Sequence, residues 1–510
     1  MNKSYSAYMR EISADELYQG LLAHGLFSEK LPPVFFAETF FRYCQKKSKS
    51  FSGNCHRYVY YENMRNINIP RPLAIPNPFA YQLQCEMLKE NWSNIQTHFH
   101  KMTDACRYKV SRIHIRKMQD CPALFQMNYD NWRVDGDPET DLSIGKRYML
   151  KADISNCFPS IYTHALPWAL VGKDIAKKNQ KNKTWYNKVD DITRKATHDE
   201  THGLLIGPHS SNLLAEIILT AVDSQLSDYD YVRAIDDYTC YVKTYEEGQC
   251  FLTQLGAALR EYDLSLNHKK TSIVALPLAT TEHWERKLNM LQLTTSYGKT
   301  DYLLTRAYFD YAIELMHDNG ENAAILNYAI KTLLGKPRKG TAKVLTPNAK
   351  EYAAKTIMGL SSLYPYLIAL LDKYVFNTCC SECDTHACIN EYANRAYQSG
   401  ITTRNFEQSA YALLFAIKYG FEIASYDIER IIGYGDCILL LMAYLYAQHK
   451  HKKQDVKALK EFARTMKDDS EVFDQFWVFM YEILPASDLK GDWKEIKSAG
   501  VTFIKDLALW

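Results

Sequence analysis

Two adjacent carboxylates, Asp236 and Asp237, stand in the middle of an apolar, strand-forming run, YVRAIDDYTCYV at 231–242. Tyr, Val and Ile on one side and Tyr, Cys, Tyr and Val on the other suit a hairpin with both acids at its tip. Two neighbouring carboxylates inside apolar surroundings are costly unless a cation neutralises them. A second such place precedes it. Tyr148-Met149-Leu150 reads as a buried strand that delivers Asp153 near its end, in KADISNCFPSIY at 151–162. One acid from one strand and a pair from a neighbouring hairpin is the donor set that two magnesium ions need to clamp an in-line phosphoryl displacement. An Asp-Asp pair alone is usually a turn or a helix cap, so the inference depends on the company these acids keep.

At 510 residues the chain is too long for one ordinary core, and two or three domains are expected. The 47% hydrophobic and 24% charged content describes a folded, soluble protein. A net charge of +2 means that any nucleic-acid surface must be local. The longest apolar run, CILLLMAYLY at 437–446, is about half of the ~20 residues needed to cross a bilayer, so it reads as a buried helix. The N-terminal residues lack the apolar core of a secretory signal. Thirteen scattered cysteines suit reduced thiols, and the expected location is the cytoplasm.

The first ~300 residues mix strand-like runs with helices. The Pro-rich stretch at 68–81 must be extended or turning. In KVSRIHIRK at 109–117, Arg112, His114 and Arg116 would share one strand face, either solvated or gripping phosphates, with Ile113 and Ile115 on the other. From about residue 301 amphipathic helices take over. AAILNYAIKTLL at 323–334 puts Ile325, Leu326, Ala329, Ile330, Leu333 and Leu334 on one stripe, ended by Gly335 and Pro337. Similar blocks follow at 351–376, 404–419 and 436–449, with no strict repeat. Cys379, Cys380, Cys383, His386 and Cys388 could hold zinc, but ten residues make a tight loop, and a turn with reduced thiols is the preferred reading. The lysines at 173, 177, 178, 181 and 183 read as a solvated loop, or as a track for phosphates.

Four segments in order resemble the motif series of reverse transcriptases over about residues 70–280: ADISNCFPSI, THGLLIGPHSSNLLAEIILTAVD at 201–223, AIDD at 234–237 and LSLNHKKTSI at 264–273. Ala234 departs from the aromatic usual at its place. The resemblance implies an α+β palm-and-fingers domain (1–300) followed by an all-α, HEAT-like helical domain (301–510). It makes Asp153, Asp236 and Asp237 the catalytic acids and, with the Ile154 backbone, the ligands of Mg2+ or Mn2+. It makes Ile154, Phe158, Gly207, Pro208 and Lys270 the nucleotide contacts, Phe158 excluding a 2′-hydroxyl so that dNTPs are the substrates.

The strings SIYTHALPWALVGK at 160–173 and THDETHG at 197–203 are similar to the abortive-infection (Abi) polymerases of bacteria, the AbiK type and its prophage-encoded phage-exclusion relatives. That branch implies untemplated DNA synthesis primed by a protein tyrosine, a single-stranded DNA product covalently attached to the protein, a trimer or hexamer, and a role in antiphage defence. The primer should lie on a mobile segment upstream of the first helix. Tyr8 is the first choice and Tyr5 the alternative, with Tyr43, Tyr60 and Tyr61 behind them. The runner-up is an RNA-templated reverse transcriptase with a noncoding RNA partner. It would want a basic thumb helix at 280–310, which the sequence does not offer. A silent scaffold is the third reading, and the three acids count against it.

Overall fold

The computed structural model describes residues 4–47, 50–66, 68–104, 115–117, 124, 138–179, 184–279, 283–291, 293, 298–335, 344–377 and 384–506. Arg112, Ile113, His114, Lys181, Lys183, Cys379, Cys380 and Cys383 lie outside those residues.

The chain starts with α1 (Tyr5–Arg10), α2 (Ala14–Leu22) and α3 (Glu38–Lys46). Ser13 and Glu16 close a reciprocal capping box at the start of α2, as a Ser-x-x-Glu spacing should. Strands β1 (Tyr58–Met64) and β2 (Pro70–Pro76) then form an antiparallel pair. The Pro-rich stretch is extended as far as Pro76, after which Pro78 opens α4 (Pro78–Glu90). Asn77 accepts from the Phe79 and Ala80 amides, so cap and N1 proline together start the helix. Helix α5 (Trp92–Thr103) follows.

A four-stranded antiparallel sheet is the centre of the first half. It holds β3 (Tyr148–Asp153), β4 (Tyr231–Ala234), β5 (Asp237–Val242) and β6 (Ser272–Ala275) in the spatial order β4-β5-β3-β6. Leu150, Ala152, Tyr231, Tyr238 and Cys240 are buried, and the Tyr245–Glu261 helix packs on β3 and β5. The expected strand before Asp153 and the expected hairpin around Asp236 and Asp237 are both present. The described part of the first ~300 residues therefore mixes sheet and helix as expected.

Among its described residues the 301–506 region is built of helices and turns, with the two-residue strand Val344–Leu345 as its one named strand. The helix Ala324–Leu334 buries the six residues that its periodicity placed on one stripe. Cys437–His449 is buried along nearly its whole length, the mark of a helix apolar on every side. The block at 351–376 is not one helix: Pro347–Leu363 ends before Pro365, which restrains Tyr364, and short turns continue to Phe376.

Contacts join the two ends of the chain. Phe35 bridges Ile504, the Phe36 amide donates to the Phe503 carbonyl at 3.0 Å, and the Lys505 amide donates to Val34 at 2.8 Å. Phe27, Phe40, Trp477 and Phe503 pack there as one aromatic group. His56 Nδ1 and Asn77 Nδ2 reach the two oxygens of Asp474 at 2.9 and 2.7 Å. The main buried apolar cluster runs through both halves, with a small separate one at Leu142, Val232 and Tyr241.

Two expectations need correction. Arg116 is not on a solvated face: it is buried, with its guanidinium 5.4 Å from the Tyr8 ring centre. Tyr5 and Tyr8 do not lie upstream of the first helix, because they are on α1 itself and both are buried. Helix formation starts earlier than expected because Ser4 caps it, accepting from the Ala7 amide. The described cysteines are free thiols. Among the described residues no helix is long and apolar enough to cross a membrane.

Candidate active site

Asp153 ends β3, Asp237 begins β5, and the two are direct cross-strand partners. Ala234 pairs with Asp237, which leaves Ile235 and Asp236 as a two-residue turn. Tight hairpin turns need positive φ, and Ile235 supplies it at +60°. For a β-branched residue that conformation costs on the order of 1–3 kcal/mol and persists only where surroundings hold it. Two bonds do so. Arg233 Nη1 donates to the Ile235 carbonyl at 2.8 Å, and the Ile154 amide donates to the Asp236 carbonyl at 3.2 Å. All three acids are thus set at one end of the sheet.

The LSLNHKKTSI segment straps Asp153 from the other side. Asn267 Nδ2 donates to Asp153 Oδ1 and Lys270 Nζ to Oδ2, both at 2.9 Å. The Asn267 amide also donates to the Asp153 carbonyl at 2.7 Å, and Leu266 bridges Ile154. Lys270 is mostly exposed, so it can leave Asp153 for another anion. Asn267 was not singled out from the sequence. Its position three residues before Lys270 was the signal available.

The acids repel one another. Burial first, then the charges of Asp236 and Asp153 and the contact with Asp153, push the Asp237 carboxyl up to about 6. Asp236 is raised too, by burial and then by Asp153, while Lys270 and Arg71 act the other way. Such a set fits a divalent cation, since it supplies oxygen donors with more negative charge than one lysine offsets. Among the described residues no three His, Cys, Asp or Glu side chains stand together as a metal-holding group, Asp153, Asp236 and Asp237 included, so a bound ion would take part of its oxygens from water and substrate. An open set suits magnesium, which keeps waters and takes substrate phosphate oxygens.

Behind the turn lies a fully buried ion network. Arg233 bonds Asp223 (Nη2 at 2.7 Å) and Glu216 (Nη1 at 2.6 Å), both on the His209–Asp223 helix. Tyr5 Oη donates to Glu216 Oε2 at 2.7 Å. Removing one member of such a group leaves an unpaired buried charge, at a cost of about 3–5 kcal/mol. Sequence reasoning missed all four residues as a unit.

Phe158 is partly buried on the short turn Cys157–Ser160, where its carbonyl accepts from the Leu204 amide at 2.8 Å. Gly207 has φ +135°, and a Cβ there would stand 2.7 Å from the Ala74 carbonyl oxygen. Pro208 follows as N-cap of the long helix. The backbone thus needs glycine at 207 irrespective of any nucleotide. Lys173 lies 4.2 Å over the Trp168 ring. His386 lies on the Asp384–Thr403 helix beside Tyr419.

A cavity of about 1100 Å³ opens between β1–β2, the 197–206 segment and the helical half. Lys30, Arg57, Tyr58, Tyr60, His202 and Arg404 are among its lining, and the three aspartates are not.

With sheet, acids and strap in place, comparison with known families is informative. Residues 70–299 match the family described as reverse transcriptase (RNA-dependent DNA polymerase). This segment is a reverse transcriptase domain. It is a polymerase-type nucleotidyltransferase domain, and the matched range holds all three aspartates and Lys270. No curated protein matched the sequence. Solved structures similar to the chain include three fungal telomerases. Apo telomerase from Candida tropicalis truncated from its C-terminal domain has 12% identity and a TM-score of 0.31, over 48% of this chain and 55% of that one. Apo telomerase from the same organism has 11% and 0.33, over 86% and 73%. Telomerase from Candida albicans with a fragment of telomeric RNA has 11% and 0.30, over 87% and 67%. The chain thus spans about half the length of the first of these.

Proposed function

We propose that the reverse transcriptase domain joins deoxynucleotides at a divalent-metal site built from Asp153, Asp236 and Asp237. The observation that carries this is the cross-strand pairing of Asp153 with Asp237, with Asp236 on the adjoining turn. Bound magnesium or manganese would supply a lowered pKa for the attacking hydroxyl and charge stabilisation for the leaving pyrophosphate. The three carboxylates, with the Ile154 backbone beside them, would hold it. Lys270 would exchange Asp153 for a triphosphate oxygen, and Phe158 would close the sugar side against a 2′-hydroxyl. Gly207 and Pro208 would shape the nucleotide side of the site.

The finer reading is protein-primed, untemplated synthesis serving abortive infection, by a homo-oligomer whose 301–510 region is a HEAT-like domain. Its support is the pair of strings at 160–173 and 197–203, similar to those of the abortive-infection polymerases. The cavity beside β1–β2 is aromatic but mixed in charge, with Lys30, Arg57 and Arg404 set against Glu62, Glu200, Glu407 and Asp436, so it lends this reading no support. Tyr8 would carry the first nucleotide, with Tyr5 the alternative. The family description, RNA-dependent DNA polymerase, favours a second reading in which an RNA template directs synthesis.

Purified protein with labelled dNTPs and magnesium or manganese, without template or primer, separates the two. Label that migrates with the protein on a denaturing gel, and is removed by nuclease, supports self-primed synthesis. Label that appears only with added RNA and primer supports the templated reading.

A further inference from the structure

The buried network behind the catalytic turn is built more elaborately than packing requires. A guanidinium has five N–H donors, and Arg233 commits all of them. Nε faces Asp223 at 3.0 and 3.1 Å, and Nη2 faces Asp223 at 2.7 Å and Glu216 at 3.3 Å. Nη1 divides between Glu216 at 2.6 Å and the Ile235 carbonyl at 2.8 Å. The last of these bonds restrains the one residue of the hairpin that has left-handed backbone, directly before Asp236. Two acids face one arginine, and the second acid is also served by the Tyr5 hydroxyl. Tyr5 belongs to α1, so the N-terminal helix is tied to the turn through three hydrogen bonds in series.

We propose that Tyr5, Glu216 and Arg233 form a brace that positions Asp236 for metal, and that Tyr5 serves as a positioning residue of that brace rather than as the hydroxyl that is extended. The brace deepens the metal-site reading above and rests on it. Loss of the Arg233–Ile235 bond lets the strained turn relax and carries Asp236 away from Asp153 and Asp237. Loss of the Tyr5 hydroxyl takes the 2.7 Å donor from Glu216 Oε2, which keeps the longer 3.3 Å bond from Arg233 Nη2, and so loosens Arg233. Tyr5 cannot attack a nucleotide while its proton is given to Glu216 in a buried pocket, and burial together with the Glu216 charge opposes its ionisation. Tyr8, three residues on, is outside the brace.

The test uses full-length protein and Mn2+ alone, with free Mn2+ followed by electron paramagnetic resonance. Arg233→Lys keeps the charge but offers three donors from one point, and should weaken Mn2+ binding about tenfold, as loss of a ligand-orienting partner does. Tyr5→Phe should weaken it in the same direction by less, and should still become labelled by dNTPs. A folded Arg233→Lys variant with wild-type Mn2+ affinity would overturn the proposal. Where Arg233→Lys fails to fold, Tyr5→Phe decides: weaker Mn2+ binding with label retained supports the brace, and unchanged binding or lost label overturns it. A merely structural role would lower the thermal midpoint and leave Mn2+ affinity unmoved. Wild-type protein that binds Mn2+ through Asp236, but adds no nucleotide under any condition, would defeat the proposed function and leave the brace standing.

Discussion

Asp153 and Asp237 face each other directly across β3 and β5. Like charges in that position destabilise a sheet, by about 0.2–1 kcal/mol for an exposed pair. Lys270 and Asn267 donate to the Asp153 carboxylate in return. On the function proposed above, stability is given up at one end of the sheet in favour of a cation.

Neutralising one of the pair should therefore stabilise the protein and disable it. Asp237→Asn is expected to raise the thermal midpoint in EDTA by about 1 °C or more, from relief of roughly 1 kcal/mol of repulsion. Added Mn2+ should then stabilise the wild type and leave the variant unchanged. A variant that melts below wild type in EDTA would show that the repulsion is already screened.

The site's outline was legible because it is local. Alternating apolar residues around Asp236-Asp237 define a hairpin, and the strand before Asp153 is a short continuous apolar run. The brace was not legible. It joins α1, a helix about 210 residues later and a strand beyond that, and no short spacing announces such a contact. Nor did periodicity reveal that the 503–505 tail pairs with residues 34–36, or that a Ser4 cap would draw Tyr5 and Tyr8 into a helix. The amphipathic stripe at 325–334, by contrast, is legible to the residue.

Gly207 connects the Gly-Pro turn to β2. Gly207→Ala would place a Cβ 2.7 Å from the Ala74 carbonyl and force a positive φ on a residue that disfavours it. A loss of about 1–3 kcal/mol is expected, read as a lower denaturant midpoint with unchanged slope. Nucleotide addition should fall with it, since the same turn starts the helix that carries Glu216. Undiminished stability would mean that β2 moves aside at no cost.

Glu407, at the start of the Phe406–Lys418 helix, gives the fold a pH dependence. Burial pushes its carboxyl up to about 7, against the bonds that it accepts from the Met64 amide and Asn63 and against the Lys30 charge. Below its unfolded value of 4.5 both states are protonated. As pH rises from there to about 7 the unfolded chain ionises while the folded one resists, so stability falls across that window and then levels off. The loss is on the order of 3 kcal/mol. Glu407→Gln should melt higher than wild type at pH 8 and match it near pH 4.5. Parallel curves for the two proteins would exclude Glu407 as the cause.

Tyr8→Phe keeps the ring beneath the Arg116 guanidinium and removes only the hydroxyl. If Tyr8 carries the first nucleotide, the variant should fold, bind Mn2+ as wild type does, and lose all label that migrates with the protein. Label at the wild-type level would remove Tyr8 and turn attention to Tyr43, Tyr60 and Tyr61.

Phe158 bears on which nucleotide is used. Its ring stands five residues after Asp153, on a turn that the Leu204 amide fixes through the Phe158 carbonyl. Truncation should therefore leave the backbone in place and open only the space that the ring filled. Phe158→Ala is expected to admit ribonucleotides, with the ratio of dNTP to NTP incorporation falling by about tenfold or more, the scale on which a pocket that no longer clashes with one added hydroxyl loses discrimination. The dNTP rate itself should change much less, because in this reading the ring would exclude the 2′-hydroxyl without touching the reacting phosphates. Competition between labelled dNTP and NTP on the same protein reads the ratio directly. An unchanged ratio would make Phe158 a packing residue and leave sugar selection to another side chain.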